Sequence, residues 1–305
     1  MVQTRIVEPV RRGNALWFWT GLAALVLNRI RRAFRPYDRP RDFSPSDVGR
    51  AVEYDLSVFG NWMQYLGEYL GAPTGVEGKA VLELGPGADL GAGLIALARG
   101  AERYVGVDAH DLARSAPMSF YDELLGRLAG EGRPGVDALR PEVIKALEQR
   151  GERLRYVCRS DFDLAAADVG RADLIVSQAA FEHFDDPDRT IAQLGEVAAA
   201  GAVLLALVDL QTHSRFLRDR DPLNIYRYPD WLYRLLRFSG SPNRFRREQY
   251  VASLERAGWT NIRVMPLLSL GGEYVPHARP HLARRFRDPA GRIQDLCVVI
   301  CATKG

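Results

Sequence analysis

The chain has 305 residues, 47% of them hydrophobic and 26% charged, an ordinary globular composition with room for one large α/β domain and an appendage. A net charge of +3 across 41 basic and 38 acidic residues is too small to argue for nucleic acid. The arginine-rich stretches near 29–41, 244–247 and 284–287 lie apart, so no nucleic-acid partner is expected. Cys158, Cys297 and Cys301 give neither a disulfide framework nor a Cys-x-x-Cys pair, which points to a reducing cytoplasm.

In chain order, the stretch 15–27 is strongly apolar and is flanked by Arg11, Arg12, Arg29, Arg31 and Arg32. It is shorter than the roughly 20 residues needed to span a bilayer, and no small-residue cleavage site follows it. Two readings stand open. One is a helix that caps the following domain or packs in a homodimer. The other is an interfacial helix over 14–34 in peripheral membrane contact, anchored by its arginines, Trp17 and Trp19. Residues 35–45 are proline-rich and charged and read as a linker. Val48, Val52, Leu56, Phe59, Met63 and Leu66 then recur at helical spacing, predicting a helix over 46–71.

After a break at 71–75 the pattern changes to short apolar runs alternating with amphipathic ones. Strands are predicted at 80–84, 104–107, 154–158, 174–177, 203–208, 262–266 and 295–303. A polar, Pro- and Arg-rich segment separates the last two, so a closing antiparallel hairpin is expected rather than another crossover. Residues 110–151 are long for one crossover and predict an extra helix near 141–150. The expected architecture is α/β, with a mostly parallel seven-stranded sheet over 76–305, an insertion at about 211–247 and a helical extension over 1–75.

Glu83-Leu84-Gly85-Pro86-Gly87 falls at a strand-to-helix turn, where glycine permits a sharp bend and close approach of a ligand to the backbone. The spacing is Gly-x-Gly-x-x-x-Gly, and an acid precedes it. A carboxylate there would repel a dinucleotide's pyrophosphate but suits a cation such as S-adenosyl-L-methionine (SAM), which carries an ammonium and a sulfonium. A second strand ends in Asp108, which either accepts from both ribose hydroxyls or caps the next helix. A third is followed by Asp161-Phe162, fit to meet an adenine or simply to begin a turn.

Taken together, Glu83, Gly85-x-Gly87, Asp108, Asp161-Phe162 and the run from Ala172 to Phe184 resemble the class I SAM-dependent methyltransferases, over about 76–303. The resemblance implies a Rossmann-like fold and SAM as cofactor. It implies that Glu83 orients the methionine amino group, Gly85 and Gly87 cradle the methionine part, Asp108 binds ribose, and Asp161 and Phe162 bind adenine. Ser177 and Gln178 would line the cofactor near its methyl group. A proline between the glycines, here Pro86, is a variation the family often carries.

Methyl transfer is an in-line displacement that depends on proximity and alignment. His183 follows the fourth strand and is the first candidate for a base or acceptor-orienting group; the alternative is a packed loop histidine. Asp209 and His213 follow the fifth strand and join it as catalytic candidates. These residues show no diagnostic ligand spacing, and no metal is expected. The insertion is rich in Tyr, Trp and Arg and resembles the substrate lid of small-molecule methyltransferases. Tyr226, Arg227, Tyr228, Trp231 and Arg244 are therefore candidate contacts to a small-molecule acceptor, a sugar or secondary metabolite methylated at oxygen. Alternatively, these aromatics bury the insertion against the core. The helix 46–71, with Tyr54, Phe59 and Trp62, would close the other side. A SAM-binding protein without methyl transfer is the competing function.

Overall fold

Val81-Leu82-Glu83-Leu84 and Tyr104-Val105-Gly106-Val107-Asp108 are buried at every position, as expected of central parallel strands covered on both faces. A computed structural model describes residues 3–9, 13–34, 47–132 and 135–305; the expected linker at 35–45 lies outside them. The first elements are β1 (Arg5–Val7), α1 (Asn14–Phe34), α2 (Val48–Leu70), β2 (Ala80–Leu84), α3 (Gly91–Ala98) and β3 (Arg103–Asp108). Then come α4 (Met118–Gly130), α5 (Arg140–Leu147), β4 (Leu154–Cys158), β5 (Ala172–Gln178), α6 (Pro187–Val197) and β6 (Ala198–Asp209). The chain ends with α7 (Arg215–Arg218), α8 (Asp230–Leu236), α9 (Arg247–Arg256), β7 (Trp259–Leu270), α10 (Tyr274–Ala278) and β8 (Asp295–Lys304).

The sheet order is β1-β7-β8-β6-β5-β2-β3-β4. Strand β8 runs antiparallel to β6 and β7, and the other pairs are parallel. All seven predicted strands are present, together with the closing antiparallel pair. The correction is an eighth strand, β1, which adds to the β7 edge. It is three residues long, and Arg5 and Ile6 are exposed, so it carries neither the length nor the alternation that marks a strand in sequence.

Alternate side chains of each strand feed two cores. On one face Val81 and Leu205 pack with Val52, Phe59 and Trp62 of α2, Leu94 of α3 and Phe120 of α4. On the other, Leu82, Ile175 and Leu204 pack with Ile191 of α6 and Leu254 of α9. Helix α2 thus shares a core with the sheet, and it stops at Gly71 in the left-handed conformation (φ 73°).

A third cluster joins Leu223, Tyr226, Tyr228 and Tyr233 of the insertion to Tyr274, Leu282, Phe286 and Leu296. Helix α1 docks onto it. A Cβ on Gly21 would stand 1.9 Å from Asn224 Oδ1, so only glycine lets the helix approach this closely. Asn224 Nδ2 donates to the Trp17 carbonyl (2.9 Å), and the Tyr228 hydroxyl donates to the Phe18 carbonyl (3.0 Å).

Candidate active site

Strand register brings the ends of three strands into line. Leu84 pairs with Val107 on one side and with Ser177 on the other, so Glu83, Asp108 and Gln178 share one carboxyl edge. From β2 the chain builds outward through β3 and β4, then returns to lay β5 on the opposite side of β2. Ligands of open α/β sheets bind at such a reversal. Here it opens a cavity of about 520 Å³, within the roughly 300–1,000 Å³ typical of small-molecule sites.

The glycine turn forms one wall. Gly85 and Gly87 hold φ of +73° and +79°, and a Cβ on Gly85 would lie 2.6 Å from Ala180 Cβ. The Gly87 N–H donates to Asp108 Oδ2 (3.0 Å) and the His110 N–H to Oδ1 (2.9 Å). Each carboxylate oxygen can accept twice, so Asp108 retains acceptor capacity toward the cavity. Burial raises its pKa, and the two backbone donors oppose that.

Beneath the turn, Glu83 is buried and accepts from the Tyr104 hydroxyl (2.5 Å). Burial pushes its carboxyl up to about 8, with Asp89 and Asp108 adding to the rise and the Tyr104 hydrogen bond opposing it. Asp89 also lines the cavity and accepts from the Gly91 N–H (2.9 Å). From α2 come Tyr54, Asp55 and Val58, so this helix does close the cavity, while Phe59 and Trp62 face the core. Sequence reasoning missed Asp55 and Asp89 as wall residues. A signal existed for Asp55: it sits in the series Val52, Asp55, Phe59, Trp62, Leu66, a carboxylate at a core-facing position of an amphipathic helix. Four buried acids on one floor suit a cationic ligand and oppose a pyrophosphate.

The opposite wall carries Asp161 and Phe162. Arg159 chelates Asp161 (2.8 and 3.0 Å) and holds its carboxyl below the usual range. Phe162 takes a positive φ (51°), and its ring packs 4.8 Å from that of Phe184. Gln178 lines the cavity and accepts from the Trp62 indole N–H (3.0 Å). Ser177 does not line it: its hydroxyl donates to the Leu84 carbonyl (3.0 Å), tying β5 to β2.

His183 lines the cavity, with Nδ1 2.6 Å from the Gly240 carbonyl. Burial and the neighbouring His213 push its pKa down to about 4, so the ring is neutral at pH 7. Asp209 and His213 sit behind it rather than on the wall. Asp209 pairs with Arg218 (2.6 Å), and the His213 ring meets that of His183 edge-on at 4.8 Å. Glu182, beside them, is fully buried, and burial together with Asp209 pushes its carboxyl well above the usual range.

The insertion requires a correction. Tyr226, Arg227, Tyr228 and Arg244 lie inside the third cluster and do not line the cavity. Arg227 is clamped by Asp221 (2.7 and 2.9 Å), and the Tyr226 hydroxyl donates to the Leu210 carbonyl (2.7 Å). Arg244 donates to the carbonyls of Ile225 and Tyr228, with its guanidinium 4.1 Å from the centre of the Tyr233 ring. An irregular segment must satisfy its own buried carbonyls, and these arginines and tyrosines do that. Trp231 is 63% exposed on the outer surface. Of residues 211–247, Ser239 and Gly240 line the cavity.

A family model described as a methyltransferase domain matches residues 54–264, more than half of the chain. The chain belongs to this methyltransferase family. SAM is accordingly its cofactor, and the acid-floored cavity fits a ligand carrying an ammonium and a sulfonium. Among solved structures, the methyltransferase is similar to the CurJ carbon methyltransferase at 16% identity, over 96% of this chain and 68% of that one, with a TM-score of 0.46. It is similar to PigF with SAH at 14% identity, over 95% and 70%, with a TM-score of 0.40. A SAM-dependent methyltransferase from Aquifex aeolicus matches at 14% identity, over 87% and 100%, with a TM-score of 0.41. None of the curated proteins matches the chain in sequence.

Proposed function

We propose that this methyltransferase transfers a methyl group from SAM to an oxygen of a small-molecule acceptor held beside His183. The observation that carries the reading is one cavity with buried acids at one end and a neutral imidazole on the wall. Glu83 takes the methionine ammonium, the backbone at Gly85 and Gly87 cradles the methionine part, and Asp108 accepts from the ribose hydroxyls. Asp161 and Phe162 flank the adenine, and Gln178 lies toward the methyl group. Bound SAM supplies an electrophilic methyl carbon on a sulfonium.

The chain's own contribution is alignment, which governs an in-line displacement. With Nδ1 at a backbone carbonyl, His183 keeps a lone pair on Nε2, which holds the acceptor oxygen either directly or through an ion bound there. A group titrating near 4 orients that oxygen more effectively than it removes its proton. Asp108→Ala is expected to weaken SAM binding at least tenfold by titration calorimetry; an affinity within twofold of the parent rejects the ribose assignment. Transfer is checked with labelled SAM against sugars, phenols and carboxylates, with mass analysis of product. Tight SAM binding with no labelled product from any class favours a non-catalytic protein.

We also propose that the enzyme works in the cytoplasm against an anionic lipid surface, held by the outer face of α1. Along that helix Leu16, Trp19, Leu27, Ile30 and Phe34 are all more than half exposed and recur at helical spacing. Exposed Arg29 and Arg31 accompany this stripe, and α8 beside it adds exposed Trp231 and Leu235. Apolar side chains among arginines complement an anionic interface. Among the described residues no helix is long and apolar enough to cross a membrane. All three cysteines are unpaired, which fits a reducing compartment. The inner face of α1 is docked, so point changes serve better than deletion. Trp19→Asp with Leu27→Asp is expected to reduce binding to phosphatidylserine vesicles at least tenfold while leaving SAM affinity within twofold. Unchanged vesicle binding, or a homodimer that the same changes dissociate, contradicts the lipid assignment.

A further inference from the structure

Behind the cavity wall, Glu182, His183 and His213 each offer one ligand atom, and these atoms lie within 4.8 Å of one another. Both histidines are held in the same tautomer. His183 Nδ1 lies 2.6 Å from the Gly240 carbonyl, and His213 Nδ1 lies 3.0 Å from the Gln211 carbonyl. A carbonyl only accepts, so each Nδ1 carries the hydrogen and each Nε2 presents a lone pair. Donation of the second ring N–H to a backbone carbonyl is the arrangement that orients metal-binding histidines.

Glu182 supplies the independent observation. It is 3% exposed; Oε1 accepts from the Asp209 N–H (3.2 Å) and stands 3.9 Å from His213 Nε2. Its other oxygen, Oε2, is buried with no hydrogen-bond partner. A buried carboxyl oxygen without a hydrogen-bond partner is costly, and a cation that displaces the carboxyl proton among the three side chains removes that cost.

We propose that Glu182, His183 and His213 form a binding site for one divalent transition-metal ion, placed to take an oxygen of the methyl acceptor as a further ligand. Two imidazoles and one carboxylate suit zinc, iron(II) or cobalt(II), whereas magnesium prefers all-oxygen sites. Three protein ligands leave a position for a fourth, as in catalytic zinc sites. Ligands about 2.1 Å from one ion stand about 3.4 Å apart in a tetrahedral site, so the three side chains close by an ångström or so on binding. The surroundings hold them in place. The Asp209 carboxylate, paired with Arg218, accepts from both the backbone N–H and the side-chain amide of Gln211. The carbonyl of that same Gln211 fixes His213. The Asn243 N–H donates to the Glu182 carbonyl (2.7 Å), pinning the turn that carries both Glu182 and His183.

His183 is the member that lines the cavity, so an ion bound to it is within reach of a molecule inside. The acceptor's part in this proposal rests on the methyl-transfer reading; the metal site itself does not. Neighbouring sequence positions and one histidine thirty residues later give no ligand spacing, which is why the sequence does not announce the site.

The test titrates the full chain, stripped with chelator, with cobalt(II) alone and follows the visible d–d absorption, with zinc(II) as competitor. One equivalent is expected to bind with low-coordinate bands that zinc abolishes. Glu182→Gln and His213→Ala should each weaken binding at least a hundredfold while SAM affinity stays within twofold, which shows that the variants are folded. No binding tighter than millimolar in the parent, or equal binding in parent and His213→Ala, overturns the site. SAM binding is measured in the same samples, so its failure tells against the methyl-transfer reading and leaves the metal result standing on its own.

Discussion

SAM is expected to bind roughly 20-fold more tightly at pH 8 than at pH 6, and Glu83→Gln is expected to flatten that dependence. Burial raises the Glu83 carboxyl to about 8, so at pH 6 the ligand-free protein holds a proton there. Pairing with an ammonium requires the carboxylate, and below pH 8 binding must therefore expel that proton. The apparent affinity then climbs with pH until the carboxyl is ionised. Above about 8 the affinity falls again, because an α-amino group itself loses its proton near 7.7–8.0.

The same shift has the opposite sign for stability. A folded-state value above the unfolded one means that the native protein binds the proton more tightly, so stability is full at low pH. It is lost as pH rises from near 4.5 toward 8. Glu83→Gln should therefore raise the unfolding midpoint of the ligand-free protein at pH 8 even as it weakens the cofactor. Calorimetric titrations at both pH values check the first effect, and thermal denaturation checks the second. An affinity that is flat with pH in the parent contradicts the pairing of Glu83 with the ammonium.

Arg227→Ala is expected to cost about 3–5 kcal/mol of stability, the typical penalty for leaving a buried charge without its partner. Asp221 is fully buried, and Arg227 meets both of its carboxylate oxygens. Asn224 Nδ2 and the Tyr274 hydroxyl also donate to Asp221, but neither carries charge. Arg227 reaches Asn14 of α1 as well (2.8 Å), so its loss loosens the docking of that helix. Chemical denaturation measures the effect. An acceptor contact would behave differently, with KM rising while stability held, and that outcome would restore Arg227 to the acceptor site.

The difference between those two roles explains what the sequence made legible. Strands such as Val81–Leu84 declare themselves because both of their faces are buried. The glycine turn and the acids Glu83 and Asp108 declare themselves because they fall at fixed offsets from strand ends. Arg227 and Arg244 carry no such offset: an arginine that binds a ligand and one that satisfies buried carbonyls look alike in sequence, and packing decides between them. Ser177 illustrates the same limit, since its position at a strand end is right but its hydroxyl is committed to Leu84. Asp55 is hidden for the converse reason, as a cavity-wall carboxylate within a helix read for its apolar stripe. His213 reaches His183 only through the return of β6 beside β5, a long-range pairing that no local pattern encodes.

The acid-floored cavity between β2 and β5 is proposed to hold the cofactor in one orientation. A crystal structure of the full chain grown with S-adenosylhomocysteine tests it most directly. The amino group is expected against Glu83 at the Gly85–Gly87 turn, the ribose hydroxyls on Asp108 and the adenine beside Phe162. Product bound elsewhere, or reversed with its adenine over Glu83, would contradict it.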